Sequence, residues 1–195
     1  MGIKELRLVP VAAEAVPHNI ADLAVSLRQI GFLGDALGGS DPHQYHPGHE
    51  FHSCIEFASS HPIVMLEDQR GRLVPGEVID SREACTIAFS TVSETPEFGG
   101  GPETIDPRCP TCGYIVTDWT DVLTNWWEDK TNHRWSCPNC GARQRVYDLD
   151  WQHAAALLRF QISIGSIRFG EARPTPKLMN ALASATGFQW THYYY

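Results

Sequence analysis

The chain has 195 residues, of which 43% are hydrophobic and 19% charged, with six tryptophans. That length and composition suffice for one domain with a real core plus a small accessory module, and they exclude a disordered chain. A formal net charge of −8 excludes a general electrostatic attraction to phosphate backbones or anionic lipid. No stretch approaches the roughly 18 apolar residues of a membrane span, and "MGIKELRLVPVAAEAV" lacks the basic segment and apolar run of a signal peptide, so a cytoplasmic location is expected.

In "KELRLVPVA", Leu6 and Leu8 alternate and Val9 and Val11 follow, which predicts a strand beginning near Lys4. "PHNIADLAVSLRQIGF" predicts an amphipathic helix through Ile20, Leu23, Ala24, Leu27 and Ile30, capped by Asn19 and stopped at Gly31. Residues 38–49 read as loop. "HEFHSCIEFASS" spaces Phe51, Cys54, Ile55 and Ala58 as a short helix. "PIVMLED" and "LVPGEVI" flank a turn at "QRGR", and in "ACTIAFSTV" Cys85, Ile87 and Phe89 share a strand face.

Residues 93–108, "SETPEFGGGPETIDPR", mix glycine, proline and acids without apolar periodicity and read as a flexible linker. Beyond a cysteine-containing stretch, "DLDWQHAAALLR" predicts a short helix, and "FQISIGSIRF" a strand with Phe160, Ile162 and Ile164 on one face. "PTPKLMNALASATG" predicts a helix with Pro174 at its start, Leu178, Met179 and Leu182 on one side and Gly187 at its stop. "FQWTHYYY" closes the chain as a strand with Phe188, Trp190, His192 and Tyr194 on one side.

An internal echo connects the two ends. "EAVP" precedes a helix that ends in "IGF", and "EARP" precedes one that ends in "TGF", each after an apolar strand. Two such units suggest a duplicated plan of the ferredoxin-like type. The expected fold is α+β: a mainly antiparallel sheet with helices on one face, a single domain formed from residues 1–105 and 148–195, and an inserted module over 106–147.

The inserted stretch carries "CPTCG" at 109–113 and "CPNCG" at 137–141, with 24 residues between Cys112 and Cys137. A two-residue interval lets a tight turn bring two thiolates to one ion, and Gly113 and Gly141 tolerate the left-handed backbone that brings amides to sulfur. In an intracellular chain the matched pairs favour a metal site over disulfides or a redox dithiol. These residues resemble the paired knuckles of zinc-ribbon proteins over about 106–147. The resemblance implies that Cys109, Cys112, Cys137 and Cys140 hold one structural zinc ion per chain. The module expected around it has strands at "YIVTDW" and "RQRVYDL", and "TDVLTNWWEDKTNHRW" as a longer excursion.

Arg134, Arg143 and Arg145 stand near Trp126, Trp127 and Trp135, a mixture that can hold nucleic acid. Five acids (Asp106, Asp118, Asp121, Glu128, Asp129) match the five basic residues of the module, so the basic-patch test fails. The tryptophans are expected to pack the module and dock it, with any exposed one pointing to a protein interface.

"DPHQYHPGHEFHSC" sets His43, His46, His49 and His52 three residues apart. Pro47 and Gly48 break any continuous helix, but His49, His52 and Glu56 could share a helical face and hold a metal with open, catalytic positions. The reading preferred here is a solvated loop and helix start. Cys54 is expected as a buried structural cysteine, and neither a phosphate-binding glycine motif nor a Gly-x-Ser-x-Gly elbow occurs. The tail "FQISIGSIRFGEARPTPKLMNALASATGFQWTHYYY", with the knuckles before it, resembles a set of small uncharacterised bacterial proteins, and that resemblance carries no function. The leading expectation is a non-enzymatic, zinc-stabilised protein that binds another protein, in an adaptor or immunity-like role. A metal-dependent enzyme using His49, His52 and Glu56, and nucleic-acid binding through the ribbon, are the alternatives.

Overall fold

In the computed structural model, strand β1 (Glu5–Pro10) leads into helix α1 (Ile20–Gln29). The Asn19 side chain accepts from the Ala21 amide at 2.9 Å, the expected cap, and Gly31 leaves the helix at φ +73°. The structure describes residues 5–38, 43–58, 63–67, 73–77, 85–101, 104–129, 134–167 and 169–195, with backbone alone for 63–67 and 73–77. The strand start at Lys4, the turn at 69–72, His61 and His133 lie outside these.

Six strands form one antiparallel sheet: β1, β2 (Leu33–Ala36), β3 (Gln44–Pro47), β7 (Ile87–Phe89), β12 (Ile162–Gly165) and β14 (Trp190–Tyr194), in the spatial order β14-β1-β12-β7-β3-β2. β1 and β12 are neighbours, and each leads to a helix: α1 after β1, and α4 (Pro176–Thr186) after β12. β14 then pairs beside β1, and β7 beside β12, so the two strand-helix units interlock. The expected α+β fold is borne out.

The main core lies between this sheet and its helices. Leu6, Leu8, Ile87, Phe89, Ile162 and Ile164 from the strands meet Leu23 and Leu27 of α1 and Leu178 and Leu182 of α4. Period two in the strands and period 3.6 in the helices thus converge on one side of the sheet. Each fully buried Leu or Ile contributes about 1.5–3 kcal/mol relative to exposure. α4 starts at Pro176 in its first turn, because Pro174 is engaged in β13 (Ala172–Pro174), paired with β4 (Ile55–Phe57). The expected stop is in place: Gly187 adopts φ +80° and its amide donates to the Ala183 carbonyl at 2.8 Å. β5 (Ile63–Glu67) and β6 (Leu73–Glu77) pair antiparallel, as the hairpin reading requires.

The other face of the sheet is covered by strands that the sequence reading assigned differently. β8 (Glu97–Gly100) pairs with β11 (Ala155–Leu158), and Leu158 packs there against Val9 and Tyr193. The flexible-linker reading of 93–108 is therefore corrected at its centre. Gly99 serves packing, since a Cβ there would overlap the Tyr193 hydroxyl. The helix expected at "DLDWQHAAALLR" is likewise corrected. Val146–Asp148 form a 3₁₀ turn, Gln152 and His153 take φ +49° and +63°, and the alanines run extended to satisfy β8. Tertiary pairing has overridden a helix-favouring run.

Candidate metal centre

The centre is built by two turns of the same design. In the first, the Cys109 amide donates to the Tyr114 carbonyl at 2.8 Å and the Gly113 amide to the Cys109 carbonyl at 2.8 Å. In the second, the Cys137 amide donates to Ala142 and the Gly141 amide to Cys137, both at 2.9 Å. Gly113 and Gly141 adopt φ +74° and +71° with open space around them, so glycine is required there by backbone conformation alone. The second turn connects β9 (Arg134–Ser136) to β10 (Arg143–Arg145), an antiparallel hairpin.

These turns bring all four sulfurs within 4.8 Å of one another, with Cys109 Sγ 3.9 Å from Cys140 Sγ and Cys112 Sγ 3.7 Å from Cys137 Sγ. Such a cluster could hold a metal ion. Cys109 and Cys137 are buried, while Cys112 and Cys140 are exposed. The Asn139 side-chain amide donates to Cys112 Sγ at 3.5 Å; this bond, then the Tyr114 backbone amide, draws the Cys112 thiol down to about 6. Cys140 goes the other way. The Ala142 amide favours its thiolate, but burial and the neighbouring sulfurs outweigh it and push the thiol up to about 12. The opposed shifts reflect the closeness of the sulfurs, where one thiolate disfavours the next.

The centre is tied to the rest of the chain by aromatic packing. Helix α3 (Trp119–Glu128) occupies the excursion between the knuckles, and Trp126 is buried against Val116, Val146, Leu149 and Trp151. That cluster continues into Ala155 and Leu157 of β11 and Ala13 after β1, so it spans both sides of the module limits expected at 106 and 147. Trp119 donates from Nε1 to Asp106 Oδ1 at 2.9 Å, and Arg108 and Asp150 exchange backbone hydrogen bonds at 2.8 and 2.9 Å. "YIVTDW", expected as a strand, forms only an isolated bridge between Ile115 and Arg108. The sequence reading of this stretch as an excursion missed the helix, whose signal is the spacing of Trp119, Val122, Leu123 and Trp126, which all turn inward. Trp127 stands edge-on to Trp126, with ring centroids 6.0 Å apart, and is nevertheless 56% exposed.

The histidine run is placed differently from the helical face considered for it. His46 is exposed on β3, and His49 and His52 are exposed around α2 (Phe51–Cys54). That helix is a single turn. Ile55 is already extended, and Glu56 belongs to β4, directly across from Arg173 of β13. Among the described residues the four cysteines are the only group of three or more His, Cys, Asp or Glu side chains whose ligand atoms converge. His49, His52 and Glu56 are thus not assembled into a site; the demand of β13 for a partner strand ends the helix before Glu56 is reached. Cys54 is buried as expected, and so is Cys85. Burial pushes both thiols up, Cys85 to about 12, which removes them as nucleophiles near neutral pH.

One pairing had no signal in the sequence. His153 and His192, 39 residues apart, stack with ring centroids at 4.3 Å, and His153 Nδ1 lies 2.7 Å from the His192 carbonyl. Burial and the neighbouring imidazole hold His192 down at about 4. The two rings line a cavity of about 350 Å³ beside Trp151, Asp148 and Thr191.

Among the described residues no helix is long and apolar enough to cross a membrane. Comparison of the chain with protein-family models, with curated proteins and with solved structures finds no match to any of them.

Proposed function

We propose that the chain is a non-enzymatic binding protein whose module over 106–147 is held by one structural zinc ion, and whose partner is another protein. The observation that carries this reading is the closed set of four sulfurs. For a Zn–S bond of about 2.3 Å a regular tetrahedron has edges of about 3.8 Å, beside which stand the 3.7 and 3.9 Å separations here. Four thiolates fill the coordination sphere and leave no position for a water or substrate. The zinc-ribbon resemblance gives the same ligands, and reduced thiol pairs suit a reducing compartment such as the cytoplasm.

The ion would supply folding free energy to a module whose own core is small, and the aromatic cluster would hold that module on the α+β domain formed by 1–105 and 148–195. Trp127 supports the choice of a protein partner, since an exposed tryptophan is a costly surface residue that interfaces favour. The enzyme alternative has less to rest on, because its three residues do not converge.

Cobalt substitution tests the reading. Cobalt(II) in a closed four-sulfur cage should show intense tetrahedral d–d and thiolate charge-transfer bands that ignore added azide or cyanide. Bands that shift with those anions would mean an open site, and the structural assignment would fall.

A further inference from the structure

The β9–β10 hairpin carries a charge arrangement that its own stability does not explain. In its register Arg134 stands directly opposite Arg145, and Arg143 opposite Ser136. Directly opposed residues of an antiparallel pair share a face, as do residues two apart on one strand. Arg134, Arg143 and Arg145 therefore lie together on one face, and all three are exposed. The opposite face is spoken for: Trp135 packs on the aromatic cluster, and Gln144 donates from Nε2 to Thr111 Oγ1 at 2.7 Å. Like charges directly opposed weaken a strand pair. Arg145 is locked by two bonds to Asp148, both 2.9 Å, whereas Arg134 and Arg143 have no ion-pair partner among the described residues.

Resting on the binding-protein reading, we infer that this face docks an extended acidic segment of the protein partner, with carboxylates two residues apart. Arg134 and Arg143 are diagonal neighbours across the pair, about 7–8 Å apart at the backbone. Alternate residues of an extended chain are about 6.6–6.8 Å apart and project to the same side, so two carboxylates in an acid-x-acid pattern reach the two guanidiniums. Arginine suits this task because its planar fork meets a carboxylate with two parallel bonds. The metal would prepare the face, since Cys137 follows β9 and Cys140 precedes β10 and the ion would fix the hairpin from its turn. A protein segment fits better than nucleic acid. A polyanion needs a broad basic field, and this chain has a net charge of −8 with Asp148 at the edge of the patch. A short segment with two or three carboxylates is governed by the local charges, within about 8–10 Å at ordinary ionic strength.

The test uses the full zinc-loaded chain and a capped peptide of four Glu-Thr repeats, with a peptide of the same composition that has its glutamates contiguous and a short single-stranded oligonucleotide as comparisons. The alternating peptide should bind more tightly than the contiguous one, and Arg134→Gln with Arg143→Gln should weaken it by about tenfold or more. Removing a like-charge clash should leave that variant folded with unchanged zinc. Absence of peptide binding, equal binding by the variant, or oligonucleotide binding that the variant abolishes while the peptide does not bind, would each overturn the assignment. Zinc content and the cobalt spectrum of the same protein report on the underlying proposal separately; an intact closed cage with no peptide binding removes the acidic-segment inference alone.

Discussion

Arg173 donates from Nε to Glu56 Oε2 at 2.7 Å across the β4–β13 pair, and this commits the carboxylate to a strand contact away from the imidazoles of His49 and His52. Arg173 holds the Glu56 carboxyl below its ordinary value, first through that hydrogen bond and then through its charge. Both side chains are more than half exposed, and exposed ion pairs of this kind add little to stability. Glu56→Ala, and separately His49→Ala with His52→Ala, should leave the urea midpoint and the metal content where they are. A lost metal ion in either variant would restore the enzyme reading.

Removing one sulfur should have the opposite consequence. Cys112→Ser takes away the thiol that Asn139 and the Tyr114 amide favour most, and a three-sulfur remainder should release the ion. The expected result is loss of zinc, with faster amide exchange through the knuckles and α3 and little change in the sheet. Full zinc content in this variant would contradict the assignment of the ligands.

Gly99 makes a second structural test. Its Cβ position is filled by the Tyr193 hydroxyl, with Leu158 close behind at 3.0 Å. Gly99→Ala should cost about 1–3 kcal/mol in urea unfolding, the usual range for overpacking. Tyr193→Phe removes the atom that lies closest, so the double variant should lose less than the sum of the two single ones. Additive losses would mean that β8 is not held against Tyr193.

His192 gives a pH dependence whose sign is fixed. Its folded value of about 4 lies below the ordinary 6.5, through burial first and the adjacent His153 second. Above pH 6.5 the ring is neutral in both folded and unfolded chains, and its contribution to stability is full. As pH falls from 6.5 towards 4, the unfolded chain takes up a proton that the folded chain refuses, so stability falls with it. His192→Phe should flatten that part of the stability profile relative to the parent. An unchanged slope would show that His192 does not titrate in this way.

The sheet and its two helices were readable because their cues are local and agree: alternation in Leu6 and Leu8, helical spacing in Leu23 and Leu27, Asn19 and Gly187 as caps. The cysteine cluster was readable for the same reason, since each Cys-Pro-x-Cys-Gly turn folds on itself and only the meeting of the two turns is long-range. What failed to read was set from a distance. The alanines before Leu157 favour helix by propensity, and only the pairing of Ala155 with Gly100 and of Ala156 with Gly99 makes them a strand. Glu56 continues a helical spacing in the sequence, yet the backbone pairing of β4 with β13, which sets it opposite Arg173, 117 residues away, makes it part of a sheet. The arginine face escaped a count of charges because a count carries no register: five acids and five bases balance over the module while three guanidiniums share one side of a hairpin.

The proposal of one structural zinc ion held by Cys109, Cys112, Cys137 and Cys140 is decided by elemental analysis of protein made without a histidine tag. One zinc per chain is expected in the parent and in His49→Ala with His52→Ala, and none in Cys112→Ser. No metal in the parent, or a second ion lost with the two histidines, would contradict it.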